Sequence, residues 1–366
     1  MTGFLHRIRA RIDRGALRHN LQVARRHANG AGVVAVVKAN AYGHGLIPTA
    51  EALEAADIFG VTDVEEAERL HAAGSPKPIL ILQGLITAAD LAPIIARGYQ
   101  CVIHRHSDLA LLEAACARTP PRQPLTLWLK LDTGMGRLGL QDIAQDAVTL
   151  RRQPWVKDVV LMTHLASGSD PAAPLNARQM QKFDAICAAL PDFPTSYAAS
   201  AGLLTVARAA HWCRPGIMLY GSSPFAWQDQ ARRREALDLR TVMTLEARLL
   251  SIKTHQAGDS IGYNSQFVCD RVTRVGIVAC GYADGYPSNT PNGCPVEVAG
   301  VRSRTLGRVS MDMLAIDLSE APAATLDSPV TLWGAAVSLD EVAAHTGILS
   351  YNLTCSVSPR VPRLYV

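Results

Sequence analysis

Val33-Val-Ala-Val-Val-Lys38-Ala-Asn-Ala-Tyr42-Gly-His-Gly45 is an apolar run followed by a short polar loop. Five consecutive apolar, mostly β-branched residues are typical of a strand buried on both faces, as parallel strands covered by helices are. The residue that ends the run, Lys38, either reaches out to water or is placed for nucleophilic work. The two glycines and the aromatic Tyr42 that follow it favour a loop that closely approaches a ligand.

Short apolar runs alternate with segments of helical periodicity from residue 33 to about residue 220, which is typical of βα units and a parallel sheet. Eight such runs predict a (β/α)8 barrel of the TIM type. The runs are 33–37, 57–61, 79–82, 101–103, 125–131, 159–162, 197–199 and 216–219. Between the second and third runs, the sequence Thr62-Asp-Val-Glu65 predicts a capping box, and Gly74 predicts the end of that helix.

The pattern changes after residue 235 to short alternating strands with frequent Gly, Pro and Asn turns. The sequence therefore predicts a barrel over residues 1–235 followed by a mainly β C-terminal domain over residues 236–366. Three consecutive arginines, Arg232 to Arg234, precede the second domain. Since the formal net charge is only +4 for 366 residues, we expect a solvated connector there and no nucleic-acid partner.

Composition places the chain among globular proteins, with 48% apolar and 19% charged residues. No apolar stretch approaches the length of a membrane span, and the first residues lack the pattern of a secretory signal, so we expect neither membrane binding nor export. The eight cysteines are scattered and show no Cys-x-x-Cys spacing, which predicts reduced thiols in a cytoplasm and no metal site. No Gly-x-Gly-x-x-Gly follows a strand, which argues against a NAD enzyme.

The chemistry of such a barrel gathers at the carboxyl ends of its strands. Polar residues are concentrated at these ends, where the interior should be dry. They are Lys38, Gln83, His104, Lys130, Asp132, His164, Ser200 and Arg214. For Gln83 and His104 a loop position in water and a functional role both remain open.

The stretch around Lys38 closely resembles the pyridoxal-phosphate lysine motif of alanine racemases, and the resemblance continues along nearly the whole chain. It implies that Lys38 carries the cofactor as an internal Schiff base and serves as one catalytic base. Other segments resemble further signatures of the family. They are Leu-Trp-Leu-Lys130-Leu-Asp-Thr-Gly-Met-Gly-Arg137, Met-Thr-His164-Leu-Ala, Ala-Ala-Ser200-Ala-Gly, Arg214-Pro-Gly216-Ile217, Gly-Tyr282-Ala-Asp-Gly and Gly-Arg308-Val-Ser-Met311-Asp312.

The resemblance implies that Arg137 pairs with the substrate carboxylate through its bidentate fork. The neighbouring Lys130 poses a physical problem, because two like charges about 4 Å apart at an effective dielectric near 20 repel by about 4 kcal/mol. The family's lysine at this position is often carbamylated, and the resulting anion holds the arginine in place. We therefore expect Lys130 to be a carbamylated lysine.

The resemblance also implies where the cofactor is held. Arg214 would face the pyridine nitrogen and keep it unprotonated, and His164 would pack against the ring. The phosphate would be held by Tyr42, Ser200 and the backbone amides of Gly216 and Ile217.

In the second domain, Tyr282 matches the family's second catalytic residue. The backbone amide of Met311 matches one that binds the substrate carboxylate in the partner's site, so the resemblance implies a homodimer with shared active sites. At the C-terminus Arg360-Val-Pro-Arg is present, but some family members have a tyrosine just before it where this chain has Pro359. Phosphate contacts from this end of the chain are left open.

These expectations describe an alanine racemase that interconverts L- and D-alanine by a two-base mechanism, supplying D-alanine for peptidoglycan or catabolising it. Lys38 would act on the D-isomer and Tyr282 on the L-isomer. The alternatives are a broad-specificity or serine racemase, an amino-acid decarboxylase of the same architecture, and a non-catalytic carrier of the same cofactor. The decarboxylases use a cysteine instead of the tyrosine motif, and the carriers lack a second domain.

Overall fold

The computed structural model describes residues 6–206 and 210–366, and these form two compact units. The first unit contains residues 18–41 and 46–219; the second contains the described residues up to Leu17, residues 42–45 and residues 220–366. The predicted architecture, a parallel barrel and a mainly β domain, is confirmed. The domain boundary at residue 235 stays a prediction.

The strands in chain order are β1 (Ile8–Ile12), β2 (Gly32–Val36), β3 (Ile58–Val61), β4 (Ile79–Ile81), β5 (Gln100–Ile103), β6 (Leu125–Lys130), β7 (Val156–Met162), β8 (Thr195–Ser196), β9 (Trp212–Cys213), β10 (Met243–His255), β11 (Ser260–Ile261), β12 (Phe267–Val268), β13 (Thr273–Val278), β14 (Pro295–Val298), β15 (Val301–Leu306), β16 (Leu314–Asp317), β17 (Pro329–Trp333) and β18 (Arg363–Tyr365). The α-helices are α1 (Arg14–Ala28), α2 (Leu46–Ala52), α3 (Val64–Ala72), α4 (Leu91–Arg97), α5 (His106–Arg118), α6 (Ala144–Arg151), α7 (Pro174–Ala189), α8 (Ser200–Thr205), α9 (Leu339–Thr346) and α10 (Ser350–Ser356).

The first unit is built on a parallel sheet with the strand order β8-β7-β6-β5-β4-β3-β2-β9. The two end strands of this order meet, because the His211 amide donates to the Thr195 carbonyl (3.1 Å) and the Arg214 amide donates to the Ala198 carbonyl (2.8 Å). Most of the strands are separated along the chain by helices, as right-handed βα crossovers require. The sheet is therefore the predicted (β/α)8 barrel.

Apolar side chains from six neighbouring strands, β2 to β7, fill the barrel. Trp128 on β6 is fully buried among them, and its indole Nε1 donates to Gln100 Oε1 (2.7 Å). The cluster consists of Val34, Ile58, Leu80, Val102, Trp128, Val160 and Met162. A filled barrel of this kind leaves the strand ends as the place for polar chemistry.

Three local predictions were wrong. The run 216–219 is not a strand, since Ile217–Tyr220 forms a 3-10 turn and the last barrel strand is β9. Pro215 accepts the Val36 amide through its carbonyl (3.0 Å) but has no N–H to donate in return. The run 197–199 lies just beyond β8, and only Ala199 forms an isolated bridge, to Arg214. Helix α3 is capped by Asp63 rather than by Thr62, because the carboxylate of Asp63 accepts the Glu66 amide (3.0 Å).

The second unit contains a ring of antiparallel strands in the order β13-β16-β15-β14-β17-β10, closed by pairing of β10 with β13. The 13-residue strand β10 can join both ends of this ring because its register shifts between Leu249 and Ser251. Strand β1 pairs antiparallel with β10 and parallel with β18, so Ile8–Ile12 belongs to this sheet. Fully buried Tyr286 and Trp333 stack inside the unit with ring centroids 6.1 Å apart.

The described helices include none that is long and apolar enough to cross a membrane.

Candidate active site

The backbone takes an unusual course directly after strand β2. Ala39, Asn40 and Ala41 have φ angles of 54°, 53° and 55°, and Tyr42 has a φ of 51°, so four consecutive non-glycine residues are left-handed. This conformation costs roughly 1–2 kcal/mol per residue. The surrounding structure must hold the turn in place, and Lys38 stands at its start.

Hydrogen bonds from the first unit fix the beginning of the left-handed turn. The Asn40 amide donates to Glu66 Oε1 (2.9 Å), and Asn40 Oδ1 accepts the Leu46 amide (3.0 Å). The other carboxylate oxygen of Glu66 accepts the Thr62 amide (3.0 Å). The sequence gives no sign of this role for Glu66, because it depends on a contact between the first turn of α3 and the distant turn after β2.

Basic side chains meet at the carboxyl ends of the barrel strands. Lys130 at the end of β6 and Arg214 after β9 are buried, with 5% and 3% of their surface exposed. Burial, together with the charges of Arg214, Arg137 and Lys38, lowers the pKa of Lys130 to about 8. An amine with this pKa is neutral in an appreciable fraction of molecules near neutral pH, which a reaction of its nitrogen requires.

Arg214 is held by three neutral acceptors. Its guanidinium donates to Ser196 Oγ, to the Thr163 carbonyl (2.8 Å) and to His164 Nδ1 (3.4 Å). Burial lowers the pKa of Arg214 to about 10, so it still carries its charge at pH 7. Ser196 and Thr163 gave no signal in the sequence.

His164 is kept neutral by its surroundings. Burial, followed by the charges of Arg214, Lys130, Arg137 and Lys38, lowers the pKa of His164 to about 3. Because arginine can only donate, Nδ1 of His164 is the acceptor of the bond from Arg214 and the ring proton lies on Nε2. The imidazole is therefore an uncharged donor at neutral pH.

The loop that carries Arg137 is built around Asp132. Its Oδ1 accepts the amides of Gly134 (2.9 Å), Met135 (3.0 Å) and Gly136 (3.1 Å). Although burial opposes the effect, these amides lower the pKa of Asp132. The exposed Arg137 follows this turn directly.

Buried Gln179 on α7 ties the same loop to the end of β7. Its Nε2 donates to Thr133 Oγ1 (3.0 Å) and to the His164 carbonyl (3.0 Å), and its Oε1 accepts the Ala166 amide (2.8 Å). Sequence reasoning missed Gln179, since it looks like an ordinary polar residue of a surface helix. His104 and Gln83 also meet, with His104 Nε2 at 2.9 Å from the Gln83 carbonyl.

Ser200 begins helix α8 and is buried. Its Oγ accepts the backbone amides of Gly216 (2.9 Å) and Met218 (3.4 Å). Because it accepts both bonds, the hydroxyl retains its own hydrogen for donation to a ligand. Ile217 opens the 3-10 turn that follows.

Tyr42 belongs to the second unit, together with residues 43–45. Its ring stacks on Tyr220 with centroids 4.6 Å apart and lies 6.0 Å from Tyr351. Burial, with smaller contributions from Tyr351 and Cys355, raises the pKa of Tyr42 well above its ordinary value. The phenol therefore stays a neutral hydrogen-bond donor at any ordinary pH.

Tyr282 and Met311 are brought together in the second unit. Tyr282 begins a 3-10 turn (Tyr282–Asp284), its amide donates to the Ser310 carbonyl (3.1 Å), and the Ala283 amide donates to the Met311 carbonyl (3.0 Å). Gly281 allows this close approach, because a Cβ there would collide with both carbonyls. Tyr282 and Met311 are 44% and 55% exposed.

The residues predicted from the sequence thus form two sets, one in each unit. The first set consists of Lys38, Lys130, Arg137, His164, Ser200, Arg214, Gly216 and Ile217, and the second of Tyr42, Tyr282 and Met311. In the first set Lys130 has three cationic neighbours and a single carboxylate, Asp132, among the groups that shift its pKa. This surplus of positive charge fits a phosphorylated cofactor and a carboxylate substrate. The described parts of the chain contain no group of three or more His, Cys, Asp or Glu side chains that could hold a metal ion.

The barrel with basic strand ends and the β unit with an exposed tyrosine turn define a class of protein, the two-domain barrel enzymes that bind anionic cofactors. Comparison with known families is specific: residues 12–224 match the model "Alanine racemase, N-terminal domain" and residues 242–365 match "Alanine racemase, C-terminal domain". The chain belongs to the alanine racemase family.

Individual proteins support the same assignment over the full length. A catabolic alanine racemase of Pseudomonas putida is 46% identical over 362 residues, which are 98% of each chain. The structure of a biosynthetic alanine racemase from Pseudomonas aeruginosa is 41% identical, with a TM-score of 0.91 over 99% of this chain and 100% of that one. An alanine racemase structure from Bartonella henselae, described as having covalently bound pyridoxal phosphate, is 27% identical with a TM-score of 0.87 over 99% and 100% of the two chains.

Proposed function

We propose that this chain is a pyridoxal-phosphate-dependent isomerase that interconverts L-alanine and D-alanine. Beside membership of the family, one observation supports the proposal: basic side chains gather at the carboxyl ends of the barrel strands, where Lys130 and Arg214 are buried. Besides burial, the pKa of His164 there is lowered by the basic groups Arg214, Lys130, Arg137 and Lys38. A guanidinium in such a cluster suits the carboxylate of an amino acid.

The chain offers a separate group for each part of the cofactor. Lys38 is its attachment point, and the hydroxyls of Ser200 and Tyr42 would donate to the phosphate. Arg214 would face the pyridine nitrogen, where a guanidinium can only donate and so leaves the nitrogen unprotonated. The neutral ring of His164, fixed by its bond to Arg214, would pack against the cofactor ring. The Ile217 amide would complete the proposed phosphate site. The Gly216 amide donates to Ser200 Oγ in this structure (2.9 Å) and would join the site only by giving up that bond.

Pyridoxal phosphate joined to the amino group of alanine withdraws electrons from the α-carbon and thereby makes its proton removable near neutral pH. Lys38 would exchange this proton on the face used by D-alanine, and Tyr282 on the face used by L-alanine. One base on each face suits inversion, because a proton leaves one face of the α-carbon and another arrives on the opposite face. Arg137 and the Met311 amide would orient the substrate carboxylate.

Lys130 is proposed as a carbamate. Its lowered pKa of about 8 provides the neutral amine, whose nitrogen would bond to the carbon of CO2 and release one proton to solvent. The product would put an anion in place of a cation among the charges of Arg137 and Arg214. The repulsion between Lys130 and the two arginines would then become an attraction. Hydrogen bonds between a guanidinium and an anion are among the strong hydrogen bonds in proteins.

Chiral chromatography of the purified protein with its cofactor tests the function. Starting from either isomer, alanine should approach equal amounts of both, because the two enantiomers have equal free energies. Lys38→Ala should abolish this turnover, while the matched variant Lys157→Ala, on an exposed part of β7, should retain it. No turnover of alanine by the unchanged protein would overturn the proposal, and equal turnover of serine and lysine would replace it by a broad-specificity racemase.

We infer further that the active sites are shared in a homodimer. The support is the division of predicted residues, with Lys38 in one unit and Tyr282 in the other. Lys38→Ala chains can be mixed with Tyr282→Ala chains under conditions where subunits exchange. Each mixed dimer then has one intact site, so about a quarter of the activity should return from two nearly inactive parents. No return of activity despite confirmed exchange would exclude sharing.

A cytoplasmic location is the corresponding proposal for the cell. Its support is that the eight cysteines are free thiols, whereas oxidising compartments favour disulfides. Cell fractionation followed by thiol titration tests it, and an extracellular, disulfide-linked form would contradict it.

A further inference from the structure

The C-terminal sequence Arg360-Val-Pro-Arg363 has no role in the proposed mechanism. It follows helix α10 and leads into strand β18, all within the second unit. Each of its two arginines makes a contact far away in the sequence. Arg360 reaches the segments that carry Tyr282 and Met311, and Arg363 reaches the segment that carries Tyr42.

Arg360 contacts the 3-10 turn Tyr282–Asp284, called here the tyrosine turn, and the segment after Met311. Its guanidinium bonds to Asp284 Oδ1 through Nε (2.9 Å) and to Asp312 Oδ1 through Nη2 (2.5 Å). The side chain of Asp284 is fully buried, accepts the Gly281 amide (3.0 Å) and also pairs with Arg7. Arg360 therefore cross-links the segments that present Tyr282 and Met311.

Arg363 contacts the end of the left-handed turn. Its Nε donates to the Gly43 carbonyl (2.7 Å). Its other nitrogens donate to carbonyls of its own segment, those of Val357 (2.8 Å), Val361 (3.1 Å) and Ser358 (3.4 Å), so the guanidinium has a fixed orientation. Tyr365 adds a second bond, from its hydroxyl to the His44 carbonyl (3.0 Å).

Glycines allow helix α10 to lie directly against the end of the left-handed turn and against the tyrosine turn. Gly43 has a φ of 81°, and a Cβ there would collide with the Thr354 carbonyl. Gly285, at the end of the tyrosine turn, has a φ of 101°, and a Cβ there would collide with the Ser356 carbonyl. One short stretch, residues 354–363, thus contacts both segments through backbone as well as side chains.

We propose that Arg360 and Arg363 are positioning residues, one for each half of the catalytic apparatus. Arg360 sets the position of Tyr282, and Arg363 sets the position of Tyr42 at the end of the turn that begins at Lys38. The inference rests on the proposed function. It predicts that the two arginines have separable effects, although they are only three residues apart.

The experiment compares Arg360→Met and Arg363→Met in the dimeric holoenzyme, with Arg178→Met on the exposed surface of α7 as the control. Three quantities are measured: the dissociation constant of pyridoxal phosphate from its absorbance, kcat, and the isotope effects with α-deuterated L- and D-alanine. Arg363→Met should weaken cofactor binding by about tenfold or more, as expected for loss of a charged hydrogen bond. Arg360→Met should leave that constant within about twofold, lower kcat by about tenfold or more, and raise the isotope effect for L-alanine more than for D-alanine.

Two conservative variants separate positioning from general support of the fold. Arg363→Lys restores one donor and should recover part of the cofactor affinity. Tyr365→Phe removes only the hydroxyl at the His44 carbonyl and should weaken cofactor binding by about threefold to tenfold without changing either isotope effect. This second variant keeps the test decisive if Arg363→Met does not fold.

If cofactor affinity and the isotope effects change in parallel in both arginine variants, or change in neither variant, the proposal is overturned. Its failure differs from failure of the proposed function. If the unchanged holoenzyme does not racemise alanine, the proposed function fails. If it does racemise alanine but the arginine variants are not separable, only the positioning roles fail.

Discussion

Replacing Lys130 by methionine should stabilise the folded chain even though it damages the enzyme. Lys130 is only 5% exposed, and burial with the neighbouring cations Arg214, Arg137 and Lys38 lowers its pKa from 10.5 to about 8. A difference of this size corresponds to about 3 kcal/mol of unfavourable free energy in the protonated form. Methionine fills a similar volume without the charge and its penalty.

The expected gain has a definite pH dependence. Because the folded pKa of Lys130 is lower than the unfolded one, the unfolded chain binds this proton more tightly, and the penalty is present in full below about pH 8. It disappears as the pH rises from about 8 to 10.5. The free energy of unfolding of Lys130→Met should therefore exceed that of the unchanged chain by about 2–3 kcal/mol at pH 7, and by almost nothing at pH 10.5.

Urea unfolding of the cofactor-free chain in CO2-free buffer, followed by circular dichroism, measures this difference. Lys157→Met, on an exposed position of β7, is the matched control and should change stability by less than about 0.5 kcal/mol. A loss of stability at pH 7, or a gain of equal size at pH 7 and pH 10.5, would refute the reasoning. Bicarbonate should stabilise the unchanged chain and not Lys130→Met, because only the former can carry the carbamate.

Two further substitutions test the cofactor contacts. Arg214→Glu replaces a donor by an acceptor, so the pyridine nitrogen keeps its proton. Racemisation should fall, and pyruvate formed by transamination should appear in a coupled lactate dehydrogenase assay. Unchanged racemisation without pyruvate would contradict the assignment of Arg214 to the pyridine nitrogen. Ser200→Ala removes a hydroxyl that also accepts the Gly216 and Met218 amides. The dissociation constant of the cofactor, measured by absorbance, should rise about fivefold to thirtyfold. An unchanged constant would show that Ser200 does not contact the phosphate.

The sequence predicted those parts of the fold that depend on regular patterns. The apolar run before Lys38 predicts β2, because five consecutive apolar residues fit a strand buried on both faces. The run 216–219, Gly-Ile-Met-Leu, is also apolar but follows Pro215, and the structure has the strand β9 before it and a 3-10 turn in its place. Composition alone cannot separate a short strand from a 3-10 turn of the same length.

The parts that could not be predicted depend on contacts between distant segments. The left-handed turn from Ala39 to Tyr42 has no glycine to announce it, and its stability depends on partners such as Glu66 and Arg363. Strand β1 joins the sheet of the second unit through β10, more than 200 residues later in the chain. Local propensity carries no information about such partners.

The central claim, that Lys38 and Tyr282 act as bases on opposite faces of the α-carbon, is tested most directly by following the α-hydrogen in D2O. The purified holoenzyme is given L-alanine or D-alanine, and both isomers are isolated by chiral chromatography at low conversion and analysed by mass spectrometry. The account predicts that the newly formed isomer carries deuterium at its α-carbon from the first turnover, in both directions, while the remaining substrate carries much less. A product that keeps the hydrogen of its substrate would show one base serving both faces and would contradict the account.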